Sequence, residues 1–227
     1  MVVMYQKYRY NELKQKAAQV GINFFDIMVT GVTGAGKSTT LNSLCEKNVA
    51  RVGRGVAPET MRIDCYKLND VFQLWDTPGL GDCTKNDIDH SKQLYELLYK
   101  EYDNKYGFID MVLVILEGSS KDMGTTYKLL NDIIVPNFQK ERILVAVNHA
   151  DVAMKGRHWD FNRQEPEQPL VEYLEEKIKS IQSRVKESTG VSINKPVYYS
   201  AEYGYNIYKL MDMIIDNMPN MRRKLVA

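Results

Sequence analysis

The sequence predicts an α/β domain in three layers, a mainly parallel six-stranded sheet with one antiparallel hairpin strand, an extra N-terminal helix, and helices on both faces. Three observations carry this. Short apolar runs alternate with longer segments of helical periodicity, the pattern of strands joined by crossover helices. A chain of 227 residues that is 44% hydrophobic suffices for one well-buried domain and is too short for two of ordinary size. The first buried run also leads into a Gly-rich turn that opens a helix, a junction typical of such folds.

The elements follow in order. Tyr8 to Val20 reads as the extra helix, so residues 1–22 are expected to form a helical extension, residues 23–219 the domain, and residues 220–227 a basic tail carrying Arg222, Arg223 and Lys224. Phe24 to Thr30 is the first strand, and Lys37 to Lys47 the helix after it. Met61 to Leu68 and Val71 to Asp76 form a pair joined by Asn69-Asp70, two polar turn formers that suit a tight antiparallel hairpin. Ile109 to Glu117, Arg142 to Asn148 and Pro196 to Ser200 supply the other strands. Helices are expected near Ile88 to Tyr102, Thr125 to Val135, Pro169 to Glu187 and Asn206 to Asn217. Met154 to Gln168 is polar, aromatic and without periodicity, so it reads as an inserted loop in which Trp159 is either packed locally or anchors a partner.

Composition excludes several classes. The formal charge of +1 is nearly balanced, so net charge draws the molecule neither to nucleic acid nor to an anionic membrane. Cys45, Cys65 and Cys83 lack C-x-x-C spacing, which argues against a disulfide framework and a zinc site and suits reduced thiols in a cytoplasm. No apolar run reaches the length needed to cross a bilayer. His90, His149 and His158 are too scattered to suggest a metal or acid–base site, and each is expected at the surface or in a loop.

The motifs carry the chemistry. Gly31-Val32-Thr33-Gly34-Ala35-Gly36-Lys37-Ser38 is a complete G-x-x-x-x-G-K-S between a strand and a helix, with Thr39 following. Its glycines let successive backbone N–H groups face one concavity, the helix N-terminus adds its positive dipole end, and Lys37 adds a point charge for the β- and γ-phosphates of a nucleotide. Ser38 is placed to ligate Mg²⁺. The strand ending at Trp75 continues into Asp76-Thr77-Pro78-Gly79, where Asp76 can hold a Mg²⁺ water and the Gly79 N–H can sense the γ-phosphate.

Base selection is expected from Asn148-His149-Ala150-Asp151 at the end of another strand. Asp151 would accept two hydrogen bonds from guanine, and adenine would leave that carboxylate unpaired. Asn148 would brace the P-loop and the base edge; the plainer alternative makes both residues turn and cap formers. Ser200-Ala201-Glu202 closes the last strand, where the Ala201 N–H is expected to donate to guanine O6. Arg51 to Thr60 is Gly-rich and precedes the hairpin. Thr60 is the candidate hydroxyl for Mg²⁺ in the GTP state, or else a β-branched residue opening a strand. Lys37, Thr60 and Gly79 are thus the residues expected to act on the γ-phosphate. Arg51 and Arg54 are either solvated loop charges or arginine fingers.

In order and spacing, these motifs resemble the five nucleotide motifs of the translation-factor-related P-loop GTPases over Phe24 to Asn217. The P-loop followed by Leu41-Asn42-Ser43-Leu44 looks like septin-like and immunity-associated GTPases, and the stretches around Asp76 and from Asn148 to Phe161 look like Era-like bacterial GTPases of the ribosome-binding type. The resemblance implies GTP and GDP with Mg²⁺ as ligands and a G-domain fold. A ribosome or RNA partner is also implied, but the net charge does not support one. Three departures matter. His149 replaces the Lys of N-K-x-D, Leu80 replaces the glutamine that orients water in Ras-like proteins, and Gly34 replaces the Asn of potassium-activated relatives. Slow intrinsic turnover follows from Leu80, and the P-loop likeness implies a GTP-dependent homodimer through the nucleotide face. The expected function is a slow, Mg²⁺-dependent GTPase switch. The alternatives are a nucleotide-gated scaffold with little hydrolysis and, less well matched to Asn148, Asp151 and Ala201, an ATP-dependent enzyme. The sequence names no protein effector.

Overall fold

The computed structural model describes residues 5–45, 63–80, 84–102, 105–119 and 124–225, with backbone alone at 84–87. Thr60, Arg51, Arg54 and Cys83 lie outside the described residues. After a short helical turn comes α1 (Tyr10–Val20), then β1 (Phe25–Thr30), α2 (Lys37–Cys45), β2 (Asp64–Asn69), β3 (Phe72–Asp76) and α3 (Thr84–Tyr99). A small hairpin of β4 (Glu101–Tyr102) and β5 (Tyr106–Gly107) precedes β6 (Met111–Glu117). Next are α4 (Gly124–Lys128), α5 (Val135–Asn137), β7 (Ile143–Asn148), a second small hairpin of β8 (Trp159–Asp160) and β9 (Glu165–Pro166), α6 (Gln168–Thr189), β10 (Val197–Tyr198) and α7 (Ile207–Asp216).

The central sheet has six strands in the order β10-β7-β6-β1-β3-β2. Every pairing is parallel except β2 with β3, the hairpin turning after Asn69. Strand periodicity divides the core into two layers. Ile27, Val29, Met111, Leu113 and Ile115 face α1, α2 and α7, through Leu13, Leu41, Leu44, Leu210 and Ile214. Met28, Val112, Val114, Leu116, Val145 and Val147 face the other way, onto Leu94, Leu98, Leu130, Ile181 and Val185. Both faces being covered explains why β6 and β7 read as apolar runs broken only at their last residue, and why β1 is buried throughout even at Asp26.

Several elements depart from expectation for identifiable reasons. The helix expected over Thr125 to Val135 widens into a π-helical stretch at Leu129–Ile134 before α5. Pro136 has no N–H to offer the carbonyl of Asp132, which accepts instead from Tyr95 Oη at 3.0 Å. The helix expected to reach Tyr102 stops at Tyr99 because residues 101–102 pair with 106–107. The inserted loop contains the β8–β9 hairpin, and Trp159, 4% exposed, packs with Ala150, Leu170 and Leu174. The N-terminal helix is docked on α7: Arg9 pairs with Asp212 at 2.8 Å and Asp216 at 2.6 Å, and Lys16 Nζ donates to the Ile215 carbonyl at 2.6 Å. At the other end Arg223 is fully buried, its guanidinium donating to the carbonyls of Ile109 and Leu98, each at 2.6 Å.

Candidate nucleotide-binding site

Parallel strands bring their carboxyl ends to one edge, and the functional motifs gather there. β1 ends at Thr30, the chain turns through Gly31 to Gly36, and Lys37 opens α2. Thr33, Gly34, Gly36, Lys37, Ser38 and Thr39 line a cavity of about 360 Å³ together with Asp64, Asp76, Gly79, His90 and His149. Ala35 is buried beneath it. Lys37 is itself buried, and Nζ donates to the carbonyls of Gly31 and Val32 at 3.2 Å each. The ammonium therefore spans the loop, where phosphate oxygens would be stronger partners than neutral carbonyls.

Asp76 is held beside the loop by the register of β3 on β1, which sets it opposite Val29. Thr77 secures that end, its N–H and Oγ1 both donating to the Val29 carbonyl at 3.2 and 2.9 Å. Ser38 Oγ donates to Asp76 Oδ2 at 3.1 Å. Burial raises the Asp76 carboxyl above the usual carboxylate range, Lys37 and the Ser38 hydroxyl oppose that shift, and Asp64 adds to it. The other carboxylate oxygen, Oδ1, is buried with no hydrogen-bond partner among the described residues. A hydroxyl and a carboxylate in contact, with one carboxylate oxygen unsatisfied, fit a hard, oxygen-seeking cation such as Mg²⁺. Asp64 escaped the sequence reading. It sits opposite Asp76 in the β2–β3 ladder, but a bulge between Lys67 and Asn69 shifts the register, so counting back from the turn does not find it.

The base side is built around Asn148, which ends β7 fully buried. Its Nδ2 donates to the Ala35 carbonyl at 3.1 Å and its Oδ1 accepts the Ala201 N–H at 3.0 Å. One side chain thus ties the P-loop, the end of β7 and the turn after β10. The Ala201 N–H, expected to donate to guanine O6, here donates to Asn148, whose fully buried amide thereby pairs at both ends. Ser200 is buried and bridges to Tyr205, while Glu202 is exposed. His149 takes a left-handed conformation, φ 62°, half-buried against the P-loop. Asp151 is 7% exposed, and its Oδ1 is buried without a partner among the described residues. A buried carboxylate oxygen with nothing to accept from fits a ligand edge carrying N–H donors, as guanine does.

Two further residues decide what the site can do. Leu80 is 7% exposed and packs among Met28 and Leu94, so its side chain leaves the cavity, while its carbonyl accepts the Thr33 N–H at 3.1 Å. His90, expected at the surface, is 5% exposed on α3, and its Nδ1 lies 2.8 Å from the Gly79 carbonyl oxygen. His158 is exposed as expected and lies 3.0 Å from Glu167.

Known proteins resemble this chain in sequence or in fold. Human Septin-12 is 37% identical over 90 residues, and the match takes in 34% of this chain and 24% of Septin-12, so the chain spans only a quarter of that relative's length. Among solved structures, Toc33 from Arabidopsis thaliana in complex with GDP and Mg²⁺ superposes with a TM-score of 0.64 at 18% identity, over 97% of this chain and 94% of that one. Era from Aquifex aeolicus, bound to GDP and AlF4⁻, gives 0.54 at 18% identity, over 87% of this chain and 58% of Era. At such identities these structures speak for the fold alone. Residues 26–149 match the 50S ribosome-binding GTPase family. That match runs from β1 to His149, through the P-loop, Asp76 and Asn148, and by it the chain belongs to the 50S ribosome-binding GTPase family.

Proposed function

We propose that this chain binds GTP and GDP with Mg²⁺, hydrolyses GTP slowly, and acts as a switch whose contacts depend on the nucleotide held. The observation that carries guanine selectivity is the buried Oδ1 of Asp151, without a partner among the described residues, three residues after the Asn148 that braces the P-loop. Lys37 would meet the β- and γ-phosphates, and Ser38 and Asp76 would hold Mg²⁺, which supplies charge to the phosphate oxygens. Thr60 remains the proposed hydroxyl of the GTP state. Slow turnover follows from Leu80, whose side chain is packed in the core and offers water nothing. Residues 23–219 are the proposed nucleotide-binding domain, with residues 1–22 and 220–227 as flanks, and the buried thiols Cys45 and Cys65 suit a reducing cytoplasm.

Asp151→Asn tests the base reading. An amide in place of the carboxylate can donate to a xanthine carbonyl, so preference should move from GTP toward XTP. A variant that keeps the wild-type margin for GTP, or a wild type in which ATP displaces fluorescent GDP as well as GTP does, would falsify the assignment.

A homodimer through the nucleotide face is a second element of the proposal. Its support is the neighbour Toc33, which superposes over 99% of both chains as a dimerization-deficient mutant with a TM-score of 0.65 at 16% identity. Self-association predicts specific hydrolysis that rises with protein concentration and falls in Arg51→Ala or Arg54→Ala. A monomer with every nucleotide, turning over at a concentration-independent rate, removes the dimer and leaves the binding reading intact.

A further inference from the structure

With Leu80 turned into the core, the attacking water needs a ligand from another element, and α3 supplies one. His90 lies on the inward stripe of that helix, with Leu94, Leu97 and Leu98 following at helical spacing, all buried. A polar side chain in such a stripe is the informative exception. Its Nδ1 is 2.8 Å from the Gly79 carbonyl oxygen. A carbonyl can only accept, so Nδ1 carries a proton, and Nε2 is the nitrogen left to act as an acceptor. Nε2 has no hydrogen-bond partner among the described residues, and His90 lines the same cavity as Lys37, Ser38 and Asp76. The peptide it holds is wedged on its other side, since a Cβ on Gly79 would lie 2.5 Å from Thr33 Oγ1. The ring is therefore anchored at one nitrogen, on a residue that lines the cavity.

We propose that His90 is a catalytic residue of GTP hydrolysis, its Nε2 accepting a hydrogen bond from the attacking water and directing it at the γ-phosphorus. The proposal rests on the GTPase reading above. The water oxygen forms its bond to the γ-phosphorus as the bond to the β–γ bridging oxygen breaks, and the electron pair leaves with GDP. One water proton stays on the phosphate product; the other passes through Nε2 to solvent. No oxidant or further reactant is needed. His90 thereby does, from a different element, what the residue after Gly79 does in proteins with glutamine there.

Single-turnover GTP hydrolysis by the full chain tests this, using wild type, His90→Ala, His90→Asn and His90→Gln, with fluorescent GDP and GTP titrated onto each. Asn keeps an N–H donor for the Gly79 carbonyl but has no acceptor at the place of Nε2. Gln is long enough to put an amide oxygen there. The expected result is unchanged nucleotide affinity in all variants and a rate loss of about 10²-fold in His90→Ala and His90→Asn, the low end for a positioned proton acceptor. The loss should fall on kcat and not on KM, with partial recovery in His90→Gln. Asn at the wild-type rate would mean that His90 acts only by holding Gly79, and Ala at the wild-type rate would mean that it does nothing; either overturns the proposal. If Ala disrupts folding, the Asn and Gln pair decides, and equal rates in those two overturn it. A wild type that binds GTP without cleaving it defeats the GTPase reading itself and this inference with it, an outcome distinct from active wild type with active variants.

Discussion

Gly34 and Gly36 have nearly the same backbone, φ 81° and 80°, and very different neighbours, which makes them a matched pair for measuring how firmly the base motif is locked to the P-loop. A Cβ on Gly34 meets nothing within 4 Å among the described residues, whereas one on Gly36 would lie 2.2 Å from Asn148 Nδ2 and 3.0 Å from His149 Nε2. Gly34→Ala should therefore cost only the strain of a left-handed alanine, about 1 kcal/mol or somewhat more. Gly36→Ala carries the same strain and must also push Asn148 off the Ala35 carbonyl and the Ala201 N–H. Asn148 is fully buried, so unsatisfying it adds about 1–3 kcal/mol. The difference between the variants, and not either value alone, isolates the brace. Urea unfolding of nucleotide-free protein measures it without interference from ligand binding. Stabilities of the two variants agreeing to within about 0.5 kcal/mol, the usual scatter of surface changes, would refute the claim that Asn148 locks the loop.

Other outcomes follow from the same geometry. Asp26 is pushed up to about 7, chiefly by burial, with Asp110 adding and the Trp75 indole N–H and Lys100 opposing. A carboxyl whose folded pKa exceeds its unfolded value of 3.8 holds its proton more tightly when folded, so stability should fall as pH rises from about 4 to about 7 and level off above. Asp26→Asn should flatten that slope and gain on wild type at pH 8 but not at pH 4, as read from urea midpoints; an unchanged slope would contradict it. Arg223→Ala should destabilise by about 3 kcal/mol or more, because two buried carbonyls lose charged donors and a cavity opens over Phe138; thermal unfolding with a wild-type midpoint would show the tail to be peripheral. Gly34 has no side chain to ligate a monovalent cation, so hydrolysis at matched ionic strength should be equal in K⁺ and Na⁺. Lys37→Ala should abolish tight GDP binding without unfolding the chain, and unchanged affinity in titrations would place the nucleotide elsewhere.

What the sequence determined by itself was what short-range pattern encodes. Short apolar runs announced strands covered by helices on both faces, and β6 and β7 are such strands. Asn69-Asp70 announced the hairpin, and the strand–glycine–helix junction announced the P-loop, because turn chemistry and helix initiation are settled within a few residues. Placing Asp76 and Asn148 at one edge needed only the rule that parallel strands end on the same side. Tertiary structure alone decided the rest, each time through contacts distant in sequence. A bulge moved Asp64 opposite Asp76, and Pro136 opened a π-helical stretch whose bare carbonyl is met by Tyr95 from α3. Asn148 accepts the Ala201 N–H from the turn after β10, since burial obliges an amide to pair at both ends. Arg223, which reads as part of a basic tail, is fully buried and hydrogen-bonded to the carbonyls of Leu98 and Ile109. His90 shows the limit most clearly: its helix is legible from its spacing, but which face turns inward, and that a glycine carbonyl of the P-loop edge waits there, is decided only when α3 packs on the sheet.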